Sequence, residues 1–119
     1  MNRELYDAFG ELLYVLTKID GEIQREEIQT LYQILENHPW SKEIIWSFNY
    51  EADHDSDIED VYKKVIYACY EIGPNSEYTY MLEVLEVVAE SSLGVDQQER
   101  DIIDRFKKDL IEEFQKQNK

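Results

Sequence analysis

The chain has 119 residues, 43% of them hydrophobic and 33% charged, and its 27 acidic and 12 basic side chains give a formal net charge of −15. This length predicts a single domain, residues 1–119, that can bury a core without metals or disulfides. The only cysteine, Cys69, excludes an intrachain disulfide and a zinc knuckle. We expect no nucleic-acid binding, because so acidic a surface repels the phosphate backbone.

The sequence contains no segment that predicts export or membrane insertion. Its first seven residues, Met-Asn-Arg-Glu-Leu-Tyr-Asp, lack the basic start and apolar stretch of a signal peptide. No apolar run approaches the ~20 residues that span a bilayer. We therefore predict a cytoplasmic protein that makes no membrane contact. Residues 1–60 hold 15 acidic and 4 basic side chains, so this half of the chain dominates the electric field.

Apolar residues recur at helical spacing along nearly the whole chain, and no long stretch alternates with a period of two. This pattern predicts an all-α fold, a compact bundle of about six helices. Ser41 is placed to cap the third helix, the run Ser56–Glu59 matches a capping box before the fourth, and Gly73 ends the fourth. The predicted helices cover about residues 3–19, 25–37, 42–48, 57–72, 76–91 and 97–116.

A weak internal repeat relates the two halves of the chain. Shifting the sequence by 72 positions places Ile23–Glu27 over Val95–Glu99, and both copies have the pattern of helix, tight turn and helix. The repeat predicts two pseudo-repeated helical hairpins. Glu27 and Glu99 each begin an apolar helical stripe, so we expect each carboxylate at the edge of the core.

Three acidic residues near these turns are the candidate metal ligands: Asp20, Glu27 and Glu99. Asp20 follows Leu16 by four positions, at a helix C-terminus where a negative charge opposes the dipole, so it needs a compensating partner. Together the three could offer oxygen ligands to Ca²⁺ or Mg²⁺. An alternative stays open, in which Glu27 favours its helix dipole and Glu99 forms a capping box with Asp96. Asp20 would then belong to an ordinary turn.

The residues of the first copy form the pattern Leu12-Leu13-x-x-Leu16-x-x-x-Asp20-Gly21-x-Ile23-x-x-x-Glu27-x-x-x-Leu31, which is repeated weakly from Val84 to Ile103. This pattern resembles the tellurite-resistance TerB-like domain over residues 5–36 and 80–112. Domains of that family are all-helical bundles with a duplicated pair of hairpins, found in bacterial cytosolic stress proteins and beside J-domains. The resemblance implies a divalent-metal site at Asp20, Glu27 and Glu99. Ser92 stands where the second copy of the pattern has aspartate, so the fourth acid of that site is missing.

Other residues with reactive or metal-binding side chains have structural interpretations. Asp53–Asp57 opens like a calcium loop, but Ile58 and Lys64 replace the glycine and the last glutamate of such loops. We predict a solvated acidic loop there. Cys69 lies on an apolar stripe and is predicted to be a core residue. The two imidazoles have no second histidine at metal-ligand spacing and are predicted at the surface: His38 and His54.

Nine tyrosines are more than a small core requires. Tyrosine favours half-buried positions and interfaces, where the ring packs and the hydroxyl stays hydrated. Two interpretations stay open. The tyrosines stabilise the fold, or they belong to a face that includes Trp40 and Trp46 and binds a protein partner or a second copy in a homodimer.

From these features we predict a non-enzymatic, cytosolic protein-interaction module of TerB-like type, which binds Ca²⁺ or Mg²⁺ and is linked by the resemblance to stress response. Its expected partner is a protein. One alternative is an acidic protein that mimics nucleic acid and occupies a basic partner. Another is a metal-dependent hydrolase in which the same acids hold a metal that activates water.

Overall fold

The computed structural model of the chain describes residues 3–19, 21–91 and 97–117, and these residues form helices and connecting turns. The all-α prediction is confirmed, since the described ranges contain six helices and no strand. Their bounds are α1 Arg3–Lys18, α2 Arg25–Leu35, α3 Ser41–Asp53, α4 Ile58–Ile72, α5 Glu77–Glu90 and α6 Gln97–Gln117.

The first helix, α1, is the centre of the bundle. It packs against α3, α4, α5 and α6, and every residue from Leu5 to Thr17 except Asp7 is buried. Its neighbours complete one hydrophobic core, to which α2 is joined through its contacts with α5. A helix surrounded in this way buries polar positions along with apolar ones, and Glu11 is one of them, with 6% of its surface exposed.

The close crossing of α1 and α3 depends on Gly10. A β-carbon at this position would overlap the carbonyl oxygen of Ile44 and lie 2.8 Å from the β-carbon of Ser47. The crossing is also held by the Ser47 hydroxyl, which donates a 2.7 Å hydrogen bond to the Asp7 carbonyl. This approach brings the acidic residues of α1 next to those of α3.

Two predicted helix starts are wrong in detail. Ser41 is the first residue of α3, Trp40 stands at the cap position, and no side chain caps this helix. The cap of α4 is Asp57, which accepts a 3.0 Å hydrogen bond from the Asp60 amide, whereas the Ser56 hydroxyl donates to the carboxylate of Glu51. A side-chain cap of α4 is therefore present, but one residue later than predicted.

Helix α3 is longer than predicted and ends at Asp53, because nothing in the segment after Phe48 breaks a helix. The predicted acidic loop is correspondingly shorter. Its turn includes Asp55, whose φ of 47° lies in the left-handed region. Gly73, with φ of 81°, ends α4 as predicted, and its amide bonds the Cys69 carbonyl at 2.9 Å.

Cys69 is buried as predicted, and burial raises the pKa of its thiol to about 11. His54 is exposed as predicted. The surface prediction for His38 is wrong, since this ring is only 11% exposed and packs between Tyr6 and Tyr80. None of the described helices is both long and apolar enough to cross a membrane.

Candidate functional site

Glu27 and Glu99 occupy equivalent places at the starts of two helices. Each is the third residue of its helix, α2 or α6, and they are 0% and 1% exposed. Both helices pack against α5. The sequence repeat therefore corresponds to two carboxyl groups that are buried in the same way.

Glu27 also interacts with the main chain at its own helix start. The Gln24 amide donates a 3.4 Å hydrogen bond to Oε1 of Glu27, which is half of a capping box. This long bond favours the capping interpretation for one oxygen of Glu27.

The rest of the predicted metal site cannot be assembled from the described residues. Asp20 lies outside them, as do Asp96, the predicted capping partner of Glu99, and Ser92. Within the described ranges, no group of three or more His, Cys, Asp or Glu side chains could hold a metal ion. Two of the three candidate ligands are thus placed, and a metal site stays a prediction.

A second acidic site, which the sequence did not reveal, lies where α1, α3 and α4 meet. Two neighbouring grooves, about 280 and 330 Å³ in volume, are both bordered by Lys64. Of the described residues that line them, this lysine is the only basic one. We call the two grooves the acidic trough, after the carboxylates that line them: Asp7, Glu11, Glu51, Asp57 and Asp60.

Lys64 neutralises the two deepest carboxylates of the trough. Its ammonium nitrogen lies 2.5 Å from Oε2 of Glu11 and 3.7 Å from Oε2 of Glu51. The two glutamates are 6% and 4% exposed, while the lysine side chain is 60% exposed. Burial raises the pKa of Glu11 and Lys64 opposes this rise, whereas the bond to Glu11 raises the pKa of Lys64. The carboxylates are buried, and their counter-ion reaches them from the solvent side.

At the other end of the trough, Asp7 faces a second carboxyl group. Burial and the neighbouring Glu43 raise the pKa of Asp7 to about 6. The bond to Asp7, and then the ion pair with Arg3, hold the pKa of Glu43 below its ordinary value. Oδ1 of Asp7 is buried and accepts no hydrogen bond from the described residues. The nearby Arg3 lowers the pKa of Asp7, but less than burial and Glu43 raise it, so this end of the trough is short of positive charge.

Three stacked rings, two on α3 and one at its C-cap, lie beside the trough. Trp46 stacks on Tyr50 with ring centroids 5.5 Å apart, and Tyr50 stacks on His54 at 4.2 Å. Nδ1 of His54 lies 2.7 Å from the Tyr50 carbonyl, which fixes the ring and places a proton on Nδ1. Trp46 is 60% exposed and Tyr50 is 45% exposed. We call these three residues the aromatic ridge, and two of them, Trp46 and Tyr50, also line the trough.

The tyrosines of α4 and α5 divide between the two interpretations left open. Tyr62 and Tyr78 are buried, and each hydroxyl donates a hydrogen bond, to Asp109 and to the Gly73 carbonyl respectively. Tyr67, by contrast, is 67% exposed. The two buried tyrosines therefore stabilise the fold, and the exposed stacked rings Trp46 and Tyr50 belong to α3.

Helical spacing held a signal for the trough. Asp7 and Glu11 are four residues apart on α1, and Ser47 and Glu51 are four apart on α3, so each pair lies on one face of its helix. What the sequence lacked was the pairing of these faces, because Lys64 comes from a third helix.

In comparisons with known proteins, no protein-family model, curated protein or solved structure matches the chain.

Proposed function

We propose that this chain is a protein-interaction module without enzymatic activity, and that it binds its partner through the aromatic ridge and the acidic trough. The observation that carries the proposal is the exposed, ordered stack of Trp46 and Tyr50 beside the grooves. Tryptophan and tyrosine are the residues most enriched at the energetic centres of interfaces.

Two features of the ridge support an interaction surface over an accidental exposure. The rings are already held in register by stacking, so binding would cost little side-chain entropy. The ridge also adjoins a concave surface, and ridges beside grooves are what a partner's side chains can interlock with. Other exposed aromatic residues, such as Tyr32 on α2, are not part of this stack.

The test is capture of a partner from a lysate of the source organism by the immobilised protein. We expect the double variant Trp46→Ala/Tyr50→Ala to lose a specific partner that the wild type retains. Tyr32→Ala is the matched control, because Tyr32 is 42% exposed and lies on α2. Capture that is insensitive to the double variant would contradict the proposal.

A second proposal follows from the buried glutamates and the TerB-like resemblance: a divalent ion held by Asp20, Glu27 and Glu99. The symmetric burial of Glu27 and Glu99 at two helix starts supports it. Carboxylate oxygens are the ligands that Ca²⁺ and Mg²⁺ prefer in proteins. In this proposal the module belongs to the TerB-like type and to a stress response.

The metal proposal is tested by calorimetric titration with Ca²⁺ and with Mg²⁺. We expect heat of binding and a raised melting temperature for the wild type, and neither for Glu27→Gln or Glu99→Gln. Glu26→Gln is the matched control, since Glu26 is exposed in the same first turn as Glu27. A wild type that shows neither heat nor thermal shift has no such site.

A further inference from the structure

We infer that the partner presents an arginine-bearing basic segment, which lies along the acidic trough with guanidinium groups on its carboxylates and against the rings of Trp46 and Tyr50. This inference rests on the proposed function, because it names the chemistry of the partner at the same surface. Four observations carry it: the size of the grooves, their charge, the cation already bound there, and an equivalent arrangement elsewhere in the fold.

The grooves have the size of side-chain sites. At about 280 and 330 Å³, they lie at the lower limit of the ~300–1,000 Å³ typical of small-molecule pockets. Because they adjoin each other across Lys64, successive side chains of one segment could occupy them. An extended peptide fits this surface better than a compact cofactor does.

The negative charge of the trough favours a partner with cationic side chains. Five carboxylates line it and the described lining residues include one ammonium, from Lys64. The pKa of both Asp7 and Glu11 is raised, with burial the largest cause in each case. A cation that enters would stabilise the ionised form of each group. The chain's net charge of −15 would also steer a basic segment toward it.

Lys64 shows that the trough accepts a cation. Its ammonium sits on Glu11 at the end of a flexible side chain that is itself 60% exposed. The partner's cations can therefore bind beside it, on the under-neutralised carboxylate of Asp7, or displace it from Glu51, where the distance is the longer 3.7 Å.

The fold already holds one arginine in the way we infer for the partner. The guanidinium of Arg105 lies 4.0 Å from the centre of the Tyr62 ring and bonds both carboxylate oxygens of Glu59, at 2.7 and 2.9 Å. A ring face beside a carboxylate suits arginine over lysine, since the planar guanidinium stacks and forms paired hydrogen bonds at once. Trp46 and Tyr50 line one groove together with Asp7 and Glu11, so aromatic rings and carboxylates border the same space there as well.

The test uses three capped peptides: hexa-arginine, hexalysine and hexacitrulline, the last being a neutral analogue of the first in shape. Each is titrated calorimetrically into the full chain at about pH 7.5, where Asp7, with a pKa of about 6, is ionised. We expect hexa-arginine to bind, hexalysine to bind several-fold more weakly, and hexacitrulline not to bind. Raising the salt from about 50 to about 200 mM should weaken binding about tenfold, because the contacts are charged and partly exposed.

Variants locate the binding on the trough. We expect Trp46→Ala to weaken hexa-arginine binding about fivefold, as loss of a cation–ring contact predicts. Asp7→Asn should weaken it about tenfold, as loss of a charged hydrogen bond predicts. The matched controls are Tyr32→Ala and Asp104→Asn, which remove an exposed ring on α2 and an exposed carboxylate on α6 and should leave the affinity unchanged.

Several outcomes would overturn the inference. Equal weakening by Asp7→Asn and Asp104→Asn would show attraction to the overall charge instead of a site. A dimer in sedimentation that Trp46→Ala dissociates would show that a second copy occupies the ridge. If lysate capture depends on Trp46 and Tyr50 while hexa-arginine does not bind, this inference fails and the proposed function stands. If capture does not depend on them, the proposed function fails.

Discussion

The molecule buries glutamates in two different ways. Glu27 and Glu99 lie near helix starts, where backbone amides and the helix dipole favour a negative charge. Glu11 and Glu51 lie within α1 and α3, where the amides are already bonded, and rely on Lys64 of α4. The first pair thus receives favourable electrostatics at its own helix starts, whereas the second pair is neutralised only when three helices are assembled.

The charge of a buried carboxylate can thus be compensated locally, at a helix start, or by a residue from another helix. A buried carboxylate without a counter-charge is strongly unfavourable. At a helix start the compensation is part of secondary structure, but in mid-helix it comes from distant sequence. Surfaces that depend on tertiary compensation keep residual charge, and the acidic trough is such a surface.

The largest effect is expected from Gly10→Ala, which disturbs the α1–α3 crossing that brings Glu11 and Glu51 together. In an open helix the change would stabilise by about 1 kcal/mol, because alanine is the better helix former. Here the new methyl group would overlap the Ile44 carbonyl and force α1 away from α3, so we expect a loss of about 3 kcal/mol. Urea denaturation measures this. A stabilised variant would show that α1 and α3 do not cross so closely.

Lys64→Met should have the next largest effect, because it removes the counter-ion and leaves both buried glutamates in place. Breaking a fully buried pair costs about 3–5 kcal/mol, but Lys64 is 60% exposed, so we expect about 2 kcal/mol at pH 7. Burial already raises the pKa of Glu11, so the variant should lose stability as the pH rises above about 4.5.

Lys63→Met is the matched control for this comparison, since the exposed neighbour of Lys64 on α4 has the same charge and contacts neither buried glutamate in an ion pair. It should change the free energy of unfolding by less than about 0.5 kcal/mol. Equal effects of the two variants would mean that total charge, and not the trough, determines the result.

Glu27→Gln tests one of the two glutamates at helix starts and should have a smaller effect on stability. The amide oxygen of glutamine can still accept from the Gln24 amide, so the loss is mainly the charge near the helix dipole, about 1 kcal/mol. The exposed Glu26→Gln in the same turn should cost less. Denaturation of both proteins in metal-free buffer checks this. A loss of several kcal/mol from Glu27→Gln would mean that this charge has a tertiary partner.

The sequence predicted the features that depend on local signals and missed those that depend on contacts between helices. The all-α fold follows from periodicity and was confirmed, and the helices that begin just before Glu27 and Glu99 start where the sequence predicts. The extent of α3 was not predicted, because the acidic run after Tyr50 resembles a solvated loop although it lacks a helix breaker, and Lys64, the partner of Glu51, lies on another helix. The acidic trough was missed for that reason, since periodicity describes one helix at a time.

Asp7→Asn should have the smallest effect on the free energy of unfolding, and it should stabilise the protein where the other variants destabilise it. The pKa of Asp7 is raised to about 6 from an ordinary 3.8, so the folded protein holds this proton more tightly than the unfolded chain. Stability should therefore fall as the pH rises from about 4 to 6. At pH 8 the variant should exceed the wild type by about 1 kcal/mol, less than the shift alone implies because Asp7 is partly exposed.

At pH 4 the two proteins should be nearly equal in stability, because Asp7 is then protonated in the fold. Urea denaturation at both pH values measures the difference, and Asp104→Asn, at an exposed position of α6, should show no such pH dependence. A variant that is more stable at pH 8 but binds hexa-arginine more weakly would show that Asp7 is kept ionised for its partner at the expense of the fold. A variant that is less stable at pH 8 would mean that Asp7 is favourably paired as an anion.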